Sequence, residues 1–192
     1  MNTKAMFGAA AALAVGLGAV SGPVTAQMAT MGGTKMVGGA AMYPTKNIVE
    51  NAVNSKDHTT LVAAVKAAGL VETLEGPGPF TVFAPTNEAF TKLPPGTVPT
   101  LLKPENKATL TKVLTYHVVA GRYTAADLLG LVKKGHGKAT LKTVAGGSLV
   151  VKKAGSGLSI TDAKGDVSHV TIANVMQSNG VIHVVDTVLL PG

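Results

Sequence analysis

Five histidines, His58, His117, His136, His169 and His183, are the side chains best suited to acid–base or metal chemistry near neutral pH. None is four residues from another, the spacing that sets two ligands on one helix face. Ser55, Asp57 and His58 bring a hydroxyl, a carboxylate and a base into one short stretch, too crowded for triad geometry. Asp57 and Thr59 read there as N-cap candidates. His169 and His183 fall on different candidate strands and could approach one another, but no carboxylate is placed beside them. Asp162 and Asp166 flank a Lys-Gly turn without the spacing of a calcium loop. A phosphate-binding glycine loop ending in Lys-Ser/Thr is lacking. The chain has no Cys, which excludes disulfides, thiol nucleophiles and thiolate zinc sites. Met28, Met31, Met36 and Met42 carry thioethers that could hold Cu(I), but their spacings are irregular and no His lies nearby. They read as adaptable apolar contacts. The expectation is a protein with no catalytic residues, no metal and no cofactor, and not an enzyme.

Charge is the more specific signal. Lys133, Lys134, Lys138, Lys142, Lys152 and Lys153 lie in a stretch without Asp or Glu, with His136 among them. Brought together across neighbouring strands, they would form a positive face suited to acidic polysaccharide, lipopolysaccharide or another anionic surface. Lysines on strand edges also prevent sheet-to-sheet aggregation. The net charge is +7, and Arg122 is the one basic residue that is not Lys. Arg is the preferred residue for bidentate base and phosphate contacts, and four Phe, three Tyr and no Trp leave little for base stacking, so nucleic acid is not an expected partner.

The elements that must position these residues follow from periodicity. Residues 27–46, with Gly32-Gly33 and Gly38-Gly39, read as a flexible Gly/Met-rich linker. Ile48, Val49 and Ala52 begin a helical pattern, and Leu61, Val62, Val65 and Ala68 continue it to a stop at Gly69. Residues 80–84 are a short strand bounded by Pro79 and Pro85, and Thr86 caps the helix that follows. Pro104 sits in the first turn of a helix carrying Leu110, Val113, Leu114 and His117 on one face. Thr124 and Asp127 form a capping-box pattern. After Gly135 the period changes to two, giving candidate strands at 139–144, 148–152, 157–161, 167–172 and 181–185. A helical first half and a strand-rich second half predict an α+β domain over 47–192.

The N-terminus reads as an address. Lys4, an apolar run over 5–20, and small residues before Gln27 predict a secretory signal peptide over 1–26, cleaved after Ala26. No later run is long enough to cross a membrane, so the expected product is secreted or periplasmic, without a transmembrane segment after cleavage.

Three blocks resemble the fasciclin I domain family. Gly78-Pro79-Phe80-Thr81-Val82-Phe83-Ala84-Pro85-Thr86-Asn87-Glu88-Ala89-Phe90 is similar to the first family signature. Tyr116-His117 stands where the family has a Tyr-His pair. Asn179-Gly180-Val181-Ile182-His183-Val184-Val185-Asp186, followed by Val188-Leu189-Leu190-Pro191, is similar to the second signature. Single-domain secreted bacterial members are the nearest resemblance. It implies a β-wedge of two sheets packed against a bundle of short helices, and an adhesion or matrix-interaction module binding a cell-surface or matrix protein; the acidic polysaccharide is the partner that the lysines add. By carry-over, Tyr116 and His117 are the first partner-binding candidates; a buried, hydrogen-bonded histidine is the competing role for His117. The signature residues carried over are Phe80, Thr81, Phe83, Pro85, Thr86, Asn179, Gly180, His183 and Asp186. The Arg-Gly-Asp of some integrin-binding members is absent, since Arg122 sits in Gly121-Arg122-Tyr123. Some algal members bind carotenoids, which leaves carriage of a small hydrophobic ligand as the alternative function.

Overall fold

The computed structural model describes residues 33–192. The expected signal peptide 1–26, and Met28 and Met31, lie outside them. The linker expected over 27–46 does not hold from Lys35 onward. Strands β1 (Lys35–Val37) and β2 (Ala40–Met42) pair antiparallel around Gly38-Gly39. Both glycines have positive φ, 58° and 75°, the backbone a two-residue hairpin turn requires. Val37 and Met42 are each 3% exposed and join the core. Strands this short show no readable period of two, so Gly-Gly mimics a tether in the sequence. Met36 is exposed on the opposite side of the hairpin from Met42, so these two thioethers do not converge.

Helix α1 (Ile48–Ala52) opens on a reciprocal cap between Asn47 and Glu50. A 3-10 turn over Lys56–His58 leads into α2 (Thr59–Ala68), which stops at Gly69 with φ +70°. Neither Asp57 nor Thr59 caps α2. The Thr60 amide instead donates to Asn87 Oδ1 at 3.0 Å, a partner that only the tertiary fold supplies. Next come α3 (Val71–Glu75), β3 (Phe80–Pro85), α4 (Asn87–Thr91), α5 (Thr97–Leu101), α6 (Lys107–Tyr116) and β4 (Val118–Ala120). Thr86 caps α4, as its position predicts. Helix α7 (Ala125–Lys134) opens on the Thr124–Asp127 capping box. The second half is β5 (Lys138–Lys142), β6 (Ser148–Ala154), β7 (Gly157–Thr161), β8 (Val167–Gln177) and β9 (Gly180–Val185).

The fold is α+β. Among the described residues, the strands other than β1 and β2 run in the order β4-β3-β9-β8-β7-β6-β5. The two sheets of the wedge share β8. Its first residues pair with β7, and from Val170 it pairs with β9 through two register shifts. Asn174, at φ +57°, lies within this irregular stretch, and its Oδ1 accepts from the Ala125 amide at 2.7 Å. The ends of the order nearly meet: Val119 bridges Thr143, and the Val144 amide donates to the Val118 carbonyl at 2.8 Å. The strands thus enclose one core, containing Phe83, Leu128, Leu141, Leu149, Val151 and Ile160. A second core lies between the other face of β3 and β9 and the helices, built on Val82, Ala84, Ile182, Val184, Leu61, Val65 and Leu114.

Candidate functional site

The two signature blocks are the parallel pair at the centre of the fold. β3 and β9 run in register from Phe80↔Gly180 to Pro85↔Val185. Gly180 has to be glycine, because a Cβ there would sit 2.2 Å from the Phe80 carbonyl oxygen. Phe80 packs against the helix-side core, and Pro85 closes β3. Thr81 donates to the Gly121 carbonyl at 2.7 Å and accepts from the Tyr123 amide at 2.9 Å. Asn179 ties three segments together: Oδ1 accepts from the Ile48 amide at 3.1 Å, and Nδ2 donates to the carbonyls of Leu74 (2.7 Å) and Gly76 (3.1 Å). His183 is fully buried and stacks on Phe83 with ring centroids 5.8 Å apart. Its Nε2 faces the Tyr123 carbonyl at 2.8 Å. Burial holds its pKa below the usual value despite that carbonyl, and the charge of Lys35 lowers it further. Asp186 accepts from the His169 amide at 2.8 Å and lies 3.8 Å from Lys92. Each of these residues secures a strand, a turn or a helix end.

Tyr116 and His117 are buried, at 1% and 2% exposure, so neither offers a surface for a partner to touch. That burial favours the competing role, a buried and hydrogen-bonded pair. The Tyr116 hydroxyl donates to the Ser148 carbonyl at 2.7 Å and accepts from the Ala163 amide at 3.0 Å. His117 Nδ1 donates to the Val113 carbonyl at 2.8 Å, and Nε2 accepts from the Leu189 amide at 2.9 Å. This is a neutral histidine with both nitrogens used, and burial lowers its pKa to about 4 against partial compensation from the Val113 carbonyl and Asp162. Asp162 completes the fastening of the C-terminal segment: Oδ1 accepts from the amides of Lys164 and Asp166, and Oδ2 from that of Leu190 at 2.8 Å.

The six lysines divide between faces. In β5, Ala139 and Leu141 are buried, so Lys138, Thr140 and Lys142 point outward. The register places Lys138 opposite Lys152 and Lys142 opposite Ser148. The outward face therefore holds Lys138, Lys142 and Lys152, and continues through Ser159 towards His169. Lys153 has the opposite parity, at an exposed end of β6. Lys133 and Lys134 end α7, where positive charge complements the helix dipole. None of the six forms an ion pair among the described residues.

A partly open, almost wholly apolar cleft of about 70 Å³ lies between the helices and β3, with Val37, Val49, Val65, Leu114 and Val144 in its wall. His58 is part of that wall, 3% exposed. Its Nδ1 is 2.9 Å from Ser55 Oγ. Burial lowers its pKa, partly offset by the Ala84 carbonyl and Asp57. Sequence spacing had already brought Ser55 and His58 together, but nothing in it marks the apolar surroundings.

A β-wedge fastened by buried histidines and an asparagine clamp, with a layer of short helices on one side, defines an α+β scaffold built on two cores. The Fasciclin domain family model matches residues 56–191, and the chain belongs to that family. Protein sll1483 of Synechocystis sp. is 48% identical over 168 residues, 86% of this chain and 85% of that protein. Cell surface glycolipoprotein MPB83 of Mycobacterium bovis is 34% identical over 83% of this chain and 66% of that protein. In fold, the chain is similar to a domain pair of the insect cell adhesion molecule Fasciclin I, with a TM-score of 0.69, 20% identity, and coverage of 76% of this chain and 51% of that one. No helix among the described residues is long and apolar enough to cross a membrane.

Proposed function

We propose that this protein is an exported, non-enzymatic adhesion or matrix-interaction module that binds anionic glycans, or acidic protein surfaces, through the outward face of β5 and β6. The observation that carries this reading is the cross-strand pair Lys138–Lys152, with Lys142 on the same face. Like charges directly opposite on a sheet destabilise it. A bound anion would relieve that repulsion, and the hydroxyls of Thr140, Ser148 and Thr161 on the same face suit a sulfated or carboxylated sugar. Export is supported by the signal-like N-terminus and by the likeness to a cell surface glycolipoprotein. An insect cell adhesion molecule shares the fold.

The test is binding to dextran sulfate or an acidic polysaccharide across a salt series. The Lys138/Lys142/Lys152→Gln variant is expected to lose about tenfold or more in affinity, and Lys133/Lys134→Gln less than about threefold. No salt-sensitive binding by the wild type, or equal losses in the two variants, would overturn the reading.

The apolar cleft favours a second reading, carriage of a hydrophobic ligand. At about 70 Å³ it is well below the ~300 Å³ at which pockets for drug-sized molecules begin, so it takes one small apolar group and not a whole carotenoid.

A further inference from the structure

We propose that the lysine face takes a linear acidic polysaccharide laid across the strands, with its sugar rings on a ridge of β-branched side chains and its anionic groups on the lysines to either side. This rests on the reading above, that the face binds anions, and adds which class of anion it selects.

The pairing registers sort the outward side chains of β5 to β8 into rows that cross the strands. Lys138, Lys152, Ser159 and His169 stand opposite one another on successive strands. The next row is Thr140, Val150, Thr161 and Val167. Beyond it, Lys142 stands opposite Ser148. Successive rows are two residues apart along a strand, about 7 Å, and a row across four strands spans about 14 Å. Helix α7 covers the other side of β5 and β6, where Leu128 and Val132 join Ala139, Leu141, Leu149 and Val151 in the enclosed core. Lys138, Thr140, Lys142, Ser148, Lys152, Val167 and His169 are all exposed.

The ligand's chemistry follows from the middle row. All of its members are β-branched, so it is a ridge of methyl groups carrying two hydroxyls, with cationic rows on both flanks. Val167 is 46% exposed and Val150 half-buried. A sugar ring offers a matching C–H face with hydroxyls around its edge, and an acidic polysaccharide adds an anionic group at regular intervals. Other anions supply only part of this. Polyphosphate has charge without an apolar face, and an acidic protein segment has carboxylates without a continuous row of rings. A membrane-docking face inserts large apolar or aromatic side chains, which this ridge lacks. Nucleic acid would call for Arg or aromatic side chains, and the rows hold neither Arg nor Phe, Tyr or Trp. The positive track also has an end. At β8, His169 Nδ1 lies 3.7 Å from Asp186, and the Asp186 carboxylate bounds the face with negative charge.

Polyglucuronate and polyglutamate, matched in number of carboxylates, separate ring recognition from charge. Their affinities for the full chain are measured across a salt series. Polyglucuronate is expected to bind at least about fivefold tighter at each salt concentration. The Val150/Val167→Asn variant should lose that preference, while its affinity for polyglutamate stays within about twofold and keeps its salt dependence. In the wild type, polyglucuronate should shift the methyl resonances of Val150 and Val167, and polyglutamate should leave them in place. If both polymers bind the wild type equally, the face reads charge alone: the proposal fails and the anion-binding reading survives. If neither these polymers nor dextran sulfate binds, both fail. Should the variant not fold, the wild-type ratio and the methyl shifts still decide. A preference that persists in the variant, or unmoved valine methyls, would overturn the proposal.

Discussion

Three buried histidines, His58, His117 and His183, are each held neutral in the folded state. Their folded pKa values lie below the ordinary 6.5, so the unfolded chain binds protons first as pH falls, and stability is lost with acidification. For His117 alone, an ordinary value of 6.5 against about 4 corresponds to ~3 kcal/mol lost as pH drops from about 7 to about 4. Urea unfolding of the wild type should therefore show a falling midpoint across that window. His117→Gln should unfold more easily at neutral pH, because the Val113 and Leu189 partners lose their designed geometry. Its pH slope should be shallower by the His117 share, with His58 and His183 supplying the remainder. An unchanged slope in this variant would remove His117 from the acid sensitivity. The Tyr-His pair thus matters through packing: it fastens β6, the turn at Asp162 and the C-terminal segment.

The element whose role changes most is the β1–β2 hairpin. Gly38→Ala would force a Cβ to 2.4 Å from Ser55 Oγ on a backbone with φ +58°, whereas Gly39→Ala, at φ +75°, meets nothing within 4 Å. The second variant carries only left-handed strain of about 1 kcal/mol, while the first adds a steric clash and should cost roughly 2–3 kcal/mol. Equal midpoints in denaturant would mean that the hairpin does not dock. This contrast also shows where the sequence is legible. Thr86 and Thr124 are read correctly as helix caps, because a cap is a local bond between neighbours. The alternation in β5 is equally local, with Lys138, Thr140 and Lys142 exposed between buried Ala139 and Leu141. What sequence does not carry is contact at a distance. The α2 cap comes from Asn87, β4 is three residues with no period of their own, and Tyr116 and His117 are recognisable as a pair without their burial being visible. The cleft is the extreme case, since its wall gathers residues from Val37 to Ile182.

At the scale of the whole molecule, the fold has two apolar cores separated by one pair of strands. Val82, Ala84, Ile182 and Val184 face the helices, while Phe83 and Val185 face the interior enclosed by the strands. Because β3 and β9 are buried on both faces, neither core keeps its wall when the other is lost, and the near-closure from Val119 to Thr143 leaves little free edge from which the sheet could open. The two cores should therefore melt together. Leu149→Ala, in the enclosed core, and Leu114→Ala, on the helix side, should each cost about 2–5 kcal/mol. Each should also shift a single transition seen alike by far-UV circular dichroism, which follows backbone, and by near-UV tyrosine signals, which follow Tyr116 in the enclosed core. If Leu114→Ala instead melts the helices while the tyrosine signal stays native, the cores are independent, and β3 and β9 do not couple them. A single transition would mean that occupancy of the cleft, which lies in the helix-side core, stabilises the lysine face on the far arm of the wedge: a ligand bound only to the folded state raises the stability of everything that unfolds with its site.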